Sequence, residues 1–200
     1  MRRLAAALAA LGAAAIVEPS LAQQAAIHWL RGATIVVAID RDRAPADGPR
    51  LVERAMRTWT ETAGGRFTLT TPRGDERAAI RVRFVGSADV YGETRPSVDR
   101  RTGLITAADV VINADVSGDV LTQQIVVYLT ALHELGHALG LPHTDDFADI
   151  MYSFRRPDDG ERYFGAYRRK LKSIADIGSA DATGLSPADV AALKRLYDRL

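Results

Sequence analysis

One eleven-residue stretch constrains this chain more than any other: His133-Glu134-Leu135-Gly136-His137-Ala138-Leu139-Gly140-Leu141-Pro142-His143. On a helix, positions i and i+4 share a face, so His133 and His137 aim two imidazoles at one point. Gly140 allows the helix to end in a left-handed residue, and Leu141-Pro142 carries the chain off the helix axis. His143 then returns from the side as a third ligand. Three neutral imidazoles with one position left open are the donor set of a catalytic zinc site rather than a closed structural one. Glu134, next to the first ligand, is free to act as a base toward water activated by the metal. Three of the four histidines of the chain are spent here. His28, the fourth, has no metal-ligand spacing around it and reads as an ordinary surface residue.

The flanking patterns supply a scaffold. Ala33 to Ile39 is a β-rich apolar run and reads as a buried strand. Asp47 is placed to cap a helix with Pro49 in its first turn, and Val52, Ala55, Met56, Trp59 and Ala63 form its apolar stripe up to Gly64-Gly65. Phe67 and Leu69, then Ile80, Val82 and Phe84, alternate with polar residues as strands do. Asp109 to Ile112 is a further strand. A second long helix starts between Asp119 and Thr122, with Ile125, Tyr128, Leu129, Leu132, Gly136 and Leu139 on its buried stripe. Ser186, Pro187 and Asp189 spell a capping box ahead of a last helix that carries Val190, Leu193, Leu196, Tyr197 and Leu200. Strands interleaved with helices make an α+β or α/β-like fold with a mixed sheet. Phe154 to Gly184 shows no clear core pattern.

The N-terminus reads differently. Arg2 and Arg3 precede the apolar run Leu4 to Val17, Pro19 breaks it, and Ser20-Leu21-Ala22 offers small residues for cleavage. Residues 1–22 are therefore expected to be a secretory signal peptide, with a single domain over 23–200, exported to the periplasm or the extracellular space. The apolar run is too short for a membrane anchor. Removing residues 1–22 takes away Arg2, Arg3 and Glu18 and leaves no net charge. Overall charge thus gives no support for nucleic-acid binding. The chain has no cysteine, so the exported fold is expected to be held by its core and by metal, without disulfides.

The motif HELGHALGLPH resembles the zinc signature of the metzincin metallopeptidases. Asp149-Ile150-Met151-Tyr152, with Met151 eight residues beyond His143, resembles the methionine turn of their matrixin branch. Leu185-Ser186-Pro187-Ala188-Asp189-Val190 and Ala55-Met56-Arg57-Thr58-Trp59 resemble the last and first helices of matrixin domains. The resemblance implies a metzincin catalytic domain: a five-stranded, mostly parallel twisted sheet, an active-site helix and a C-terminal helix. It implies that Met151 and Tyr152, with Gly140, support the site. It also implies that the segment holding Tyr91, Gly92, Glu93 and Thr94 lies on the sheet edge that binds an extended substrate. Phe154 to Gly184, with its arginines and lysines, takes the position of the loop that shapes the primed-side pocket. The chain departs from the family in several respects: Thr144 follows the third histidine where serine is common, no second His/Asp cluster for a structural zinc is visible, the segment between the methionine turn and the last helix is longer than usual, and no cysteine-bearing propeptide fits; no motif supports structural calcium.

The function these residues imply is an exported zinc endopeptidase, a monomer without a nucleic-acid partner or membrane anchor, acting on peptide or protein substrates with one catalytic Zn2+ and Glu134 as general base. Two alternatives remain: a catalytically inactive zinc-holding module that binds peptides or proteins in the same cleft, and a metallopeptidase outside the matrixins.

Overall fold

The computed structural model describes residues 26–86 and 90–198. The signal-peptide expectation falls on residues outside the described ones. Five strands form one sheet: β1 (Ala33–Ile39), β2 (Phe67–Thr70), β3 (Ile80–Val85), β4 (Gly92–Val98) and β5 (Ile105–Asn113). Their spatial order is β2-β1-β3-β5-β4, and every neighbouring pair is parallel except β4 with β5. The mixed, mostly parallel sheet expected above is therefore present. The strand expected at Asp109 to Ile112 is longer, because its pairing with both β3 and β4 extends it in each direction.

Two long helices, α1 (Gly48–Ala63) and α2 (Val120–Ala138), pack on each other and on the sheet. The sheet is one-sided. In β3, Ile80, Val82 and Phe84 are buried while Arg81 and Arg83 are exposed, the period of two that a half-covered strand requires. In α2 the apolar residues run almost all the way round, since the sheet, α1 and later segments all press on it. Trp59 of α1 is fully buried and its indole N–H donates to the Leu132 carbonyl at 2.9 Å, which locks the two helices in register.

The helix ends show which local expectations hold. Asp119 caps α2, its carboxylate accepting from the Thr122 N–H at 2.8 Å. Ser186 and Asp189 form the reciprocal box at the start of α4 (Pro187–Asp198), with Ser186 N–H donating to Asp189 Oδ2 at 2.8 Å and Asp189 N–H to Ser186 Oγ at 3.0 Å. Asp47 does not cap α1. Its backbone is left-handed, at φ 62°, and its carboxylate accepts from the Gln124 side chain at 3.1 Å instead. The capping residue needs an extended backbone to aim its oxygen at the helix, and the turn before Gly48 denies it.

The segment from Phe154 to Gly184 is more ordered than its composition implies. It contains the helix α3 (Asp159–Arg168) and two short 3-10 turns, and it buries Phe164, Tyr167, Ile177 and Ala182. Asp159 starts α3 by accepting from the backbone N–H groups of Arg155 and Arg156. The Arg168 guanidinium at the far end grips the Asp119 carboxylate with two bonds of 2.7 Å, tying α3 to the start of α2.

Candidate metal centre and cleft

The C-terminal half of α2 carries His133 and His137 on one face. The helix ends at Gly140, where φ is 97°, and the Leu141 N–H turns back to the Gly136 carbonyl at 3.0 Å. Gly140 has a second reason to be glycine: a Cβ there would run into the Ile27 carbonyl oxygen. The chain reverses through Pro142, and His143 comes back toward the helix. Thr144 N–H then donates to the Met151 carbonyl at 2.9 Å, so a single bridge fastens the third histidine's neighbour to the methionine turn.

The three imidazoles converge. His137 Nε2 lies 3.1 Å from His133 Nε2 and 3.0 Å from His143 Nε2, and the remaining pair is 3.3 Å apart. Backbone carbonyls fix two of the tautomers. His133 Nδ1 is 2.6 Å from the Ile150 oxygen and His137 Nδ1 is 2.9 Å from the Leu141 oxygen. A carbonyl only accepts, so Nδ1 carries the proton and Nε2 presents a lone pair. Burial, and then the neighbouring His137, push the His133 imidazole down to about 4; burial lowers His137 and His143 as well. Lone pairs crowded at this distance repel unless a cation lies between them. Tetrahedral zinc with Zn–N bonds of about 2.0–2.1 Å sets neighbouring nitrogens about 3.3–3.4 Å apart. The donor set and its spacing therefore fit zinc, and among the described residues it is the one cluster of this kind.

Met151 is 1% exposed and lies beneath α2, where its sulfur packs so closely on Gly136 that a Cβ there would overlap it. Its neighbour Ile150 does two things. Its carbonyl accepts the hydrogen bond from His133 Nδ1, and its N–H donates to the buried Asp189 carboxylate at 2.9 Å. Tyr152 is in the cleft, with its hydroxyl donating to Asp159 at 3.0 Å.

Glu134 is 5% exposed. The Thr94 hydroxyl lies 2.7 Å from its Oε2 and 2.9 Å from its backbone oxygen, and Gly92 presses on its side chain. Burial raises its carboxyl to about 7, against the Thr94 hydrogen bond that lowers it. A cation held by the imidazoles would draw it down again. Tyr91, Gly92, Glu93 and Thr94 all line the same cleft, a cavity of about 550 Å³. The Glu93 carboxylate turns outward to Arg95, at 2.9 Å. Gly92, Glu93 and Thr94 lie on β4, the edge strand of the sheet, and Tyr91 immediately precedes it.

Sequence reasoning missed an aromatic wall. Phe154, Tyr163 and Phe164 line the cleft with the histidines, their ring centroids 5.6–6.1 Å apart, with Phe164 edge to face with each of the other two and Phe154 tilted against Tyr163. The signal was slight: Tyr163, Phe164 and Tyr167 share helical spacing, but they are the few large apolar residues of α3, and Asp158 makes no side-chain cap. The arginines of this segment are placed differently. Arg156 lines the cleft, whereas Arg168 is engaged with Asp119 and Arg155 with Asp145.

Three curated proteins show how this chain compares with known ones. It is 29% identical over 120 residues to matrix metalloproteinase-27 of Tupaia belangeri, an alignment covering 56% of this chain and 22% of that protein. It is 40% identical over 70 residues to a ferredoxin–NADP reductase of Granulibacter bethesdensis and 35% identical over 81 residues to one of Gluconobacter oxydans. Those alignments cover 35% and 38% of this chain, and 20% and 24% of the reductases. The chain thus spans about a fifth to a quarter of the relatives it matches. The family described as Peptidase_M10, Matrixin, matches residues 33–164, from β1 through the motif and the methionine turn into α3. The chain belongs to the matrixin family.

Proposed function

We propose that this chain is an exported zinc endopeptidase in which His133, His137 and His143 hold the metal and Glu134 is the general base. The observation that supports it best is the pairing of the three converging Nε2 atoms with a buried carboxylate on the helix that carries two of them, in a cleft bordered by an edge strand. When bound, zinc supplies a Lewis acid that acidifies water and polarises the substrate carbonyl.

The residues of the chain do the rest. The carbonyls of Ile150 and Leu141 hold two imidazoles in the ligating tautomer. Thr94 holds Oε2 of Glu134, leaving Oε1 to carry the proton. Glu134 accepts that proton from the attacking water and delivers it to the departing amine nitrogen, the two halves of general acid–base catalysis. A peptide lying along β4 adds as a further strand through backbone hydrogen bonds, with Tyr91 to Thr94 beneath it. Met151 supports the centre through packing and does not ligate. The names of the two reductases carry no second reading, because neither alignment reaches two fifths of this chain.

The test is metal analysis joined to peptide digestion. His137→Ala is expected to lose most of the zinc that the wild type holds at one per chain. Glu134→Ala is expected to keep zinc and fold and to lose turnover by several orders of magnitude. Near-normal turnover in Glu134→Ala would refute the mechanism. A zinc-loaded wild type that cuts nothing would favour an inactive peptide-binding module.

A further inference from the structure

The backbone of β4 fixes how a further strand would seat on the sheet edge. The Asn113 N–H donates to the Tyr91 carbonyl at 2.8 Å, and Gly92 to Ser97 follow in register opposite Ile112 to Ala107. Bonded and non-bonded pairs alternate along an antiparallel ladder. Glu93 and Arg95 therefore spend their backbone groups on β5, while Gly92, Thr94 and Pro96 turn theirs to the open edge. Pro96 has no N–H to give, which leaves Gly92 and Thr94 to offer both a donor and an acceptor. The side chains divide the other way. Thr94 reaches α2, its hydroxyl on Glu134, whereas Glu93 and Arg95 are exposed on the face that the helices leave uncovered.

On that face charge alternates in sign from strand to strand. Arg81 of β3 stands opposite Asp109 of β5, and Asp109 stands opposite Arg95 of β4. The row stops at the sheet edge, where the Arg95 side chain is 76% exposed. The next row runs Arg83, Val111, Glu93 and stops at a carboxylate. Along β4 itself the Arg95 guanidinium bonds the Glu93 carboxylate at 2.9 and 3.1 Å. A pair this exposed contributes little to stability and gives way readily to another partner.

We infer that Arg95 and Glu93 are specificity-determining residues: they select substrates that place an acidic and a basic side chain, two residues apart, on the uncovered face of the sheet. A substrate strand bonded to Gly92 and Thr94 seats antiparallel, the pairing that is the more stable per residue. Its residues opposite Glu93 and Arg95 then fall in non-hydrogen-bonded pairs, where Cα atoms approach to about 4.5 Å and side chains meet most closely. Successive side chains of a strand point to opposite faces, so the residues that meet these two charges are not those that enter the cleft. An acidic residue opposite Arg95 carries the row Arg81, Asp109, Arg95 one strand further in alternating sign. A basic residue opposite Glu93 neutralises the other row. In an antiparallel substrate the acidic residue comes first. This inference rests on the endopeptidase reading of the same cleft.

The experiment gives two peptide sets on one cleavable core, Asp-Xaa-Lys and Lys-Xaa-Asp, to the zinc-loaded wild type and to the double variant Glu93→Arg with Arg95→Glu. The charged pair is stepped along the core, and cleavage sites are read by mass spectrometry. The double variant keeps both the ion pair and the net charge of the strand. At the best-placed step the wild type is expected to favour Asp-Xaa-Lys over Lys-Xaa-Asp by about threefold to tenfold in kcat/KM, the scale that two cross-strand charge pairs provide. The double variant is expected to invert that ratio, and raised salt to shrink it in both proteins. Arg95→Gln serves where the double variant holds less zinc or melts lower. It is expected to lose the preference for a single Asp and to keep that for a single Lys. Charges that only guard the edge against pairing with other chains would leave the ratio the same in every protein. An equal ratio in wild type and variants overturns the inference, as does a wild-type preference for Lys-Xaa-Asp. If the wild type cuts nothing, the peptidase reading falls, and calorimetric binding of the two peptide sets to both proteins still decides the charge selection.

Discussion

Glu134 and His133 are adjacent in sequence, and burial moves them in opposite directions. In the metal-free protein the His133 imidazole is pushed down to about 4 and the Glu134 carboxyl up to about 7. The signs of their effects on stability follow from proton uptake. An unfolded histidine takes up its proton near 6.5, before the folded one does, so the fold loses stability as pH falls from about 6.5 toward 4. The folded Glu134 takes up a proton near 7, before the unfolded one does near 4.3, so the fold gains stability as pH falls through that window. Between about pH 4.5 and 6.5 the two offset each other. Glu134→Gln removes one side of the balance. Its metal-free form is expected to lose stability more steeply on acidification than wild type, by up to about 1.4 kcal/mol per pH unit. Denaturant unfolding of both metal-free proteins at a series of pH values tests this, and parallel curves would refute it. At this scale the sequence was most legible. The ligand spacing is a property of the helix, so His133, His137 and Glu134 were readable from the letters. The Ile150 and Leu141 carbonyls that fix the tautomers were not, since no side-chain type marks a carbonyl that accepts.

Elements position these residues through close approaches that spacing alone does not reveal. Gly136 sits inside the histidine motif, on the stripe of α2 that the sequence marks as buried. The structure gives the reason: a Cβ would overlap the Met151 sulfur and come within 3.2 Å of the Trp59 ring. Gly136→Ala is expected to cost about 1–3 kcal/mol as an overpacked core. Met151→Leu, roughly volume-conserving, is expected to cost under about 1.5 kcal/mol and to retain zinc. Combined with Met151→Ala, which makes room, Gly136→Ala is expected to cost less than the sum of the two single changes, because the residues touch. Thermal or denaturant melts of the four proteins form the double-mutant cycle, and strict additivity would show that the contact does not carry the cost. Legibility was uneven among elements. Strands and long helices announced themselves by their periods and caps. Helix α3 did not, because its apolar residues are sparse and it is ordered by contacts distant in sequence, such as Arg168 with Asp119 and the Tyr167 hydroxyl with the Ala182 carbonyl.

Across the whole molecule, the two ends of the described chain meet at the C-terminal end of α2. The Trp29 indole N–H donates to the Ala138 carbonyl at 2.8 Å, and the Ile27 carbonyl passes over Gly140. From α4, the Tyr197 hydroxyl donates to the Leu139 carbonyl at 3.0 Å and accepts from the Trp29 N–H at 3.4 Å. Carbonyls at a helix C-terminus have no partners within the helix, so these two side chains satisfy groups that burial would otherwise leave orphaned. The same turn separates His137 from His143, which gives the clasp a consequence for the metal. Tyr197→Phe leaves the Leu139 carbonyl without its donor and is expected to cost about 1–3 kcal/mol. It is also expected to speed the loss of zinc to a chelator, because the turn that sets the third histidine is less firmly held. Leu69→Ala on β2, at the sheet edge opposite β4, provides the comparison. It is expected to cost at least as much stability, as large-to-small core changes do, about 2–5 kcal/mol, while leaving the zinc off-rate nearer wild type. Chelator-driven zinc release followed for both variants at a temperature where each is folded decides the matter. If Leu69→Ala releases zinc as fast as Tyr197→Phe, general stability governs the metal and the clasp has no special part in holding it.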